Sequence, residues 1–155
     1  MLEYVIYTDG SDLKHTTRRL GVGGVLLDQD WEELDRFGLE IDRLKILSDY
    51  GTTDCSNPFA EMIAVKEALL RFSKFIKPGS RITLKSDYQG VTEWMTGGWK
   101  TKAPYIKQVK EEILDIIRDR KLQVNFMWVK GHQSIMSRDS IYNNLVDGLA
   151  KGNKK

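Results

Sequence analysis

The sequence predicts a single mixed α/β domain built on five strands. Three strand-like stretches follow one another through short links in the first 41 residues, and from there on helix-like and strand-like stretches alternate. The size agrees: 155 residues, 41% hydrophobic and 30% charged, suit one domain with one sizeable core.

Residues 2–9 read as a strand rich in β-branched and aromatic side chains, stopped by Gly10-Ser11. Residues 21–28 (GVGGVLLD) read as a second strand, whose glycines mark either close packing or flexibility. Residues 32–41 alternate loosely as a third, after a turn at 28–30, and the short links make the three an antiparallel meander. Residues 43–56 are ambiguous, with 51–56 (GTTDCS) a loop. Asn57-Pro58 opens a helix, Asn57 as N-cap and Pro58 at the first helical position, and the helix runs to about Phe75 before Pro78-Gly79. A strand follows over 81–87, a short helix over 88–96 and a break at Gly97-Gly98. Residues 105–120 form an amphipathic helix with Ile106, Val109, Ile113, Ile116 and Ile117 on its core face. Residues 122–129 are a strand, 130–138 a loop, and the last helix runs to about Lys151. Strand–helix–strand order favours parallel pairing of 4–9, 82–87 and 124–129 through right-handed crossovers. Parallel strands place ligand sites at their carboxyl ends.

No apolar run approaches the roughly 20 residues of a membrane span, so no membrane partner is expected. The start Met1-Leu-Glu-Tyr lacks the basic opening of a secretory signal, and the lone Cys55 allows no internal disulfide. A cytoplasmic monomer is the expectation. The net charge of +2 is unevenly spread: residues 28–42 hold seven acids and one base, a net −6, leaving +8 elsewhere. The basic share gathers in Lys14, Arg18 and Arg19, in Lys100, Lys102, Lys107 and Lys110, and in Lys151, Lys154 and Lys155. Such segregation suits a polyanion-binding face.

Four carboxylates stand where a fold would not ordinarily put them. Asp9 closes the first strand and Asp87 the fourth; Glu61 heads the otherwise apolar stripe of Ala64, Val65, Ala68, Phe72 and Phe75; Asp147 lies beside Leu145, Val146 and Leu149. A carboxylate against a core is costly unless partnered. Several gathered together need cations, and an all-oxygen donor set suits Mg²⁺ or Mn²⁺.

The residues around these acids carry a family resemblance. Thr8-Asp-Gly-Ser11, Ser56-Asn57 with Ala60-Glu-Met62, Ser86-Asp-Tyr-Gln89, Trp128-Val-Lys-Gly-His132 and the stretch from Asn143 to Asp147 occur in order over nearly the whole chain. Together they resemble the motifs of type 1 ribonuclease H in its single-domain form. The resemblance implies a ribonuclease H-like fold: a five-stranded mixed sheet, three antiparallel strands then parallel ones, with helices on both faces. It implies one catalytic domain over 1–155 and no separate hybrid-binding domain. It makes Asp9, Glu61, Asp87 and Asp147 ligands of two Mg²⁺ ions, with Mn²⁺ as substitute, and His132 a proton-shuttling assistant. The implied partner is an RNA–DNA hybrid, whose RNA strand would be cut to 5′-phosphate and 3′-hydroxyl ends.

Telling RNA from DNA requires contact with the 2′-hydroxyl. Asn57 and Gln89 suit that contact, and the Gly10-Ser11 backbone can approach a strand closely. The segment holding Trp94, Trp99, Lys100 and Lys102 resembles a shortened basic protrusion gripping the DNA strand. Trp94 serves equally as a core residue. The chain departs from the family pattern at the basic loop 11–20, at Pro58 and Phe59 in place of polar residues, at the long loop 133–140, and at 43–56, which looks like an insertion beside the site. Two other readings share these residues: a DNA nuclease of the wider superfamily, and a non-catalytic hybrid-binding module.

Overall fold

The computed structural model describes residues 2–12, 19–52, 56–131 and 137–152. The expectations for His132 and for the basic side chains Lys14 and Arg18 lie outside the described residues. The chain forms β1 (Glu3–Asp12), β2 (Arg19–Asp28), β3 (Glu33–Asp42), α1 (Arg43–Asp49), α2 (Asn57–Phe72), a short 3-10 turn (Ser73–Phe75), β4 (Arg81–Ser86), α3 (Gln89–Thr96), α4 (Pro104–Asp119), β5 (Gln123–Trp128) and α5 (Arg138–Ala150). One five-stranded sheet runs in the order β3-β2-β1-β4-β5. β1 pairs antiparallel with β2, and β2 with β3; β1–β4 and β4–β5 are parallel. This is the ribonuclease H-like α/β fold that the motifs implied.

Two apolar layers flank the sheet. The larger packs Ile6, Leu20, Val22, Ile82 and Leu84 against Ile63, Leu69 and Phe72 of α2 and Ile106, Val109 and Ile113 of α4. The smaller joins Tyr7, Val25 and Leu27 to Val146 of α5. α5 approaches closely because β2 and β3 are side-chain-free beneath it. Gly23 and Gly38 pair across the two strands. A Cβ on Gly23 would stand 2.7 Å from the Val146 carbonyl oxygen, and one on Gly38 2.7 Å from that of Leu149. The glycines of the second strand therefore mark close packing.

Helix ends follow local chemistry. Pro104 opens α4 and needs no N–H there. Gly97 ends α3 in the left-handed conformation at φ 87°. Ser137 and Ser140 cap α5 reciprocally, each hydroxyl accepting from the other's N–H at 3.1 and 3.0 Å. Two expectations are corrected: β1 is not stopped by Gly10-Ser11 but runs on to Asp12, because both residues stay paired with β2, and Ser56, not Asn57, is the N-cap of α2. The Asn57 side chain is engaged elsewhere, its Oδ1 accepting from the Asp12 N–H at 2.8 Å.

Residues 43–49, ambiguous in sequence, form α1, capped by Asp42 Oδ1 accepting from the Leu44 N–H at 3.0 Å. Tyr50 then enters the core, edge-on to Phe59, and its hydroxyl donates to Glu112 of α4. Lys66 of α2 lies 3.2 Å from the same carboxylate. Phe59 is enclosed between Tyr50 and Tyr105. An apolar residue at 59 thus anchors α1 to α2 and α4.

Replacing Gly23 by alanine should push α5 off the sheet and cost about 1–3 kcal/mol of stability. Urea unfolding of Gly23→Ala checks this; an unchanged midpoint would refute the close-packing role.

Candidate metal centre

Strand β1 delivers Asp9 one residue past its last pairing with β4, Thr8 with Ser86, and the chain leaving β4 delivers Asp87 beside it. Helix α2 crosses the same end of the sheet and presents Glu61. Asp9 is 5% exposed and Glu61 7%. Asp9, Glu61 and Asp87 each offer a carboxylate oxygen within 4.8 Å of the others. Among the described residues none of the three takes part in a salt bridge. Asp147 of α5, the fourth predicted ligand, falls outside that 4.8 Å grouping; it neighbours Asp9 and adds to the negative charge around it, while its Oδ2 is 3.2 Å from Lys151 Nζ.

Glu61 and Asp87 are held by neighbours. The Gly10 N–H donates to Glu61 Oε1 at 2.7 Å. A Cβ at position 10 would fall 2.1 Å from the Ala60 carbonyl oxygen, so only glycine lets β1 come this close to α2. The Trp128 indole N–H donates to the Asp87 carbonyl oxygen at 3.1 Å. Asn143 Nδ2 lies 3.4 Å from Asp87 Oδ2, and its buried Oδ1 has no partner among the described residues. Sequence reasoning missed Trp128 and Asn143 as partners of Asp87. Asn143 carried a signal: it precedes Asp147 by four, one turn along the same helix face.

Burial, then the charge of Asp87, pushes the Asp9 carboxyl up to about 8. Burial, then Asp9 and Asp87, holds Glu61 well above the usual carboxylate range, and the Gly10 N–H works against that rise. Without a cation these acids keep protons that they would lose in water. A cluster of hard oxygen donors with one orphaned amide oxygen beside it fits Mg²⁺ or Mn²⁺ and the water such ions carry.

The sequence-predicted substrate residues fall in two places. Gly10 is buried and packs on α2; Ser11 is partly exposed at the end of β1; Asn57 and Gln89 are exposed at the first turns of α2 and α3. Trp94 is half-buried against the core and meets Tyr88 and Trp99 edge-on, with centroids 5.8 and 6.2 Å away. Its core role is therefore observed, and it also lines a cavity of about 540 Å³ with Trp99, Lys100, Lys107 and Lys110. Trp99 is 41% exposed. Lys102 is exposed and stands outside that lining.

The RNase H family model matches residues 2–155. Ribonuclease HI of Haemophilus influenzae (strain ATCC 51907 / DSM 11121 / KW20 / Rd) is 35% identical over 94% of this chain and 86% of its own length. Ribonuclease HI of Pasteurella multocida (strain Pm70) is 33% identical over the same shares. The crystal structure of RNase H1 from Halobacterium salinarum NRC-1 superposes with a TM-score of 0.73 at 22% identity, over 97% of this chain and 96% of that one. LC11-RNase H1 in complex with an RNA/DNA hybrid gives 0.68 at 21%, over 96% and 94%. The motifs, the acidic trio and the match along nearly the entire chain agree, and the chain belongs to the RNase H family.

Proposed function

We propose that this chain is an endonuclease that hydrolyses the RNA strand of RNA–DNA hybrids with two divalent ions, leaving 5′-phosphate and 3′-hydroxyl ends. The observation that carries the reading is the buried carboxylate trio at the strand ends, in a chain whose relatives are ribonucleases H. When bound, the ions would activate water and stabilise the leaving oxygen where charge develops. Asp9, Glu61 and Asp87 supply oxygen ligands, and Asp147 is the fourth. Gly10 orients Glu61, while Trp128 and Asn143 hold Asp87. His132 is the proposed proton carrier.

The remaining residues would bind the hybrid. Lys100 and Lys102, with Lys107 and Lys110, would meet phosphates of the DNA strand, and exposed Trp99 would stack on it. Asn57, through Nδ2, on the helix that carries Glu61, and Gln89, two residues after Asp87, would test for the 2′-hydroxyl. The Gly10-Ser11 backbone would line the same groove. Mg²⁺ is the proposed ion, with Mn²⁺ able to replace it, and the protein acts as a monomer in the cytoplasm. Among the described residues no helix is long and apolar enough to cross a membrane.

A labelled RNA–DNA hybrid should be cut with Mg²⁺ and left intact with excess chelator; cleavage of duplex DNA instead would overturn the substrate assignment. Asp87→Asn should lower turnover at least about 100-fold and leave hybrid binding intact, because the change removes a charge and keeps the shape. Full activity in that variant would remove Asp87 from the metal site. A third expectation concerns pH. Asp9 keeps a proton in the fold up to about pH 8 that the unfolded chain releases near pH 4. The native state binds more protons in that window, so metal-free stability should fall as pH rises through it, by up to about 1.4 kcal/mol per unit. Melting curves from pH 4 to 8 should show that slope, shallower in Asp9→Asn, and Mg²⁺ should raise the melting temperature most at the alkaline end. Identical slopes in both proteins would refute the assignment.

A further inference from the structure

A second set of polar side chains lies one layer beneath the carboxylates, on the α5 face of the sheet. Tyr7 and Lys85 are paired in the β1–β4 register. Tyr7 stands two residues before Asp9 on the same face of β1, about 7 Å below it, and Lys85 stands two residues before Asp87, which follows β4. Both reach one carboxylate in the first turn of α5. Asp139 accepts from the fully buried Tyr7 hydroxyl, and its Oδ1 lies 2.8 Å from Lys85 Nζ. The Lys85 side chain is only 15% exposed.

Asp139 opens a stripe along α5. Asp139, Asn143 and Asp147 follow at intervals of four, one per turn on one face. Each meets a different point of the sheet: Asp139 meets Tyr7 and Lys85, Asn143 meets Asp87, and Asp147 meets Asp9. The first of these contacts is the only charged anchor of the three, and the other two touch the metal centre.

The surroundings brace that anchor. Lys85 Nζ sits 5.6 Å from the Tyr7 ring centroid and 5.9 Å from that of Trp31. Tyr142 of α5 stacks on both Tyr7 and Trp31, and the Arg138 guanidinium lies 4.5 Å over Trp31. Trp31 adopts φ 65°, a left-handed conformation unfavourable to a bulky residue and kept only where its surroundings enforce it. The turn between β2 and β3 is thereby held against the start of α5.

We propose that Asp139, clamped by Tyr7 and Lys85, is a positioning residue for the metal centre: it sets the register of α5 on the sheet, and so where Asn143 meets Asp87 and Asp147 meets Asp9. Asp139 touches none of the acids it places. The inference rests on reading those acids as a metal site.

The test compares the parent with Asp139→Ala, Asp139→Asn and Tyr7→Phe. Tyr50→Phe serves as control, since it breaks a similar tyrosine–carboxylate contact on α1 and α4. Mn²⁺ affinity is read by calorimetry on the metal-free protein, and kcat and KM by hybrid cleavage, all well below each melting temperature. Asp139→Ala and Tyr7→Phe should weaken Mn²⁺ binding and lower kcat by about 10-fold or more, with KM for the hybrid little changed. Asp139→Asn, partly exposed and nearly isosteric, should fold and show a smaller loss in the same direction. Tyr50→Phe should lose melting temperature alone. If the Asp139 and Tyr7 variants melt lower but keep Mn²⁺ affinity and kcat within about twofold of the parent, the cluster only stabilises the fold and the proposal is wrong. A parent that cuts no hybrid, with variants that still lose Mn²⁺ affinity, would overturn the proposed activity and leave the positioning role standing.

Discussion

Asp9, Glu61 and Asp87 repel one another, and this end of the fold is built to hold them together all the same. Two of the three are almost wholly buried, their oxygens lie within 4.8 Å, and among the described residues no cation pairs with any of them. Left to itself, such a set would separate or stay protonated. The fold prevents separation by placing each acid on a different element and bracing it. Asp9 sits on the central strand of the sheet. Glu61 is fixed by a main-chain N–H that only glycine can bring so near. Asp87 is held at its backbone by Trp128 and at its carboxylate by Asn143.

The two helices that cross this end of the sheet are brought close by absent side chains. Gly10 admits α2 on one face, and Gly23 with Gly38 admit α5 on the other. Close packing turns a weak local preference into a defined position, because a packed interface resists small displacements. The polar stripe on α5 then adds register to proximity. The basic cavity beside α3 and α4 is lined by none of the acids, so the gathered lysines and the gathered carboxylates belong to different elements.

Much of this was legible in the sequence. The five strands, the main helices and the apolar face of α4 followed from periodicity and from Gly, Pro and Ser breakers, which act over a few residues. Asp9, Glu61 and Asp87 were legible as a group because acids on core-facing positions are costly without a reason. Residues 43–49 were not legible as a helix. Their helix is made by the Asp42 cap and by Tyr50 seated on Phe59 and Glu112, which belong to α2 and α4. Asn57 was misplaced by one position because its side chain serves the end of β1 instead of its own helix.

Which elements form, which faces are apolar and which acids stand out can be read from the spacing of nearby residues alone. Which side chains hold one another is a property of the packed fold. The contacts of Trp128 with Asp87, Gly10 with Glu61, and Tyr7 with Asp139 join positions 41, 51 and 132 apart. No local pattern encodes such pairings; they arise when sheet register and helix packing bring distant side chains to one end of the sheet.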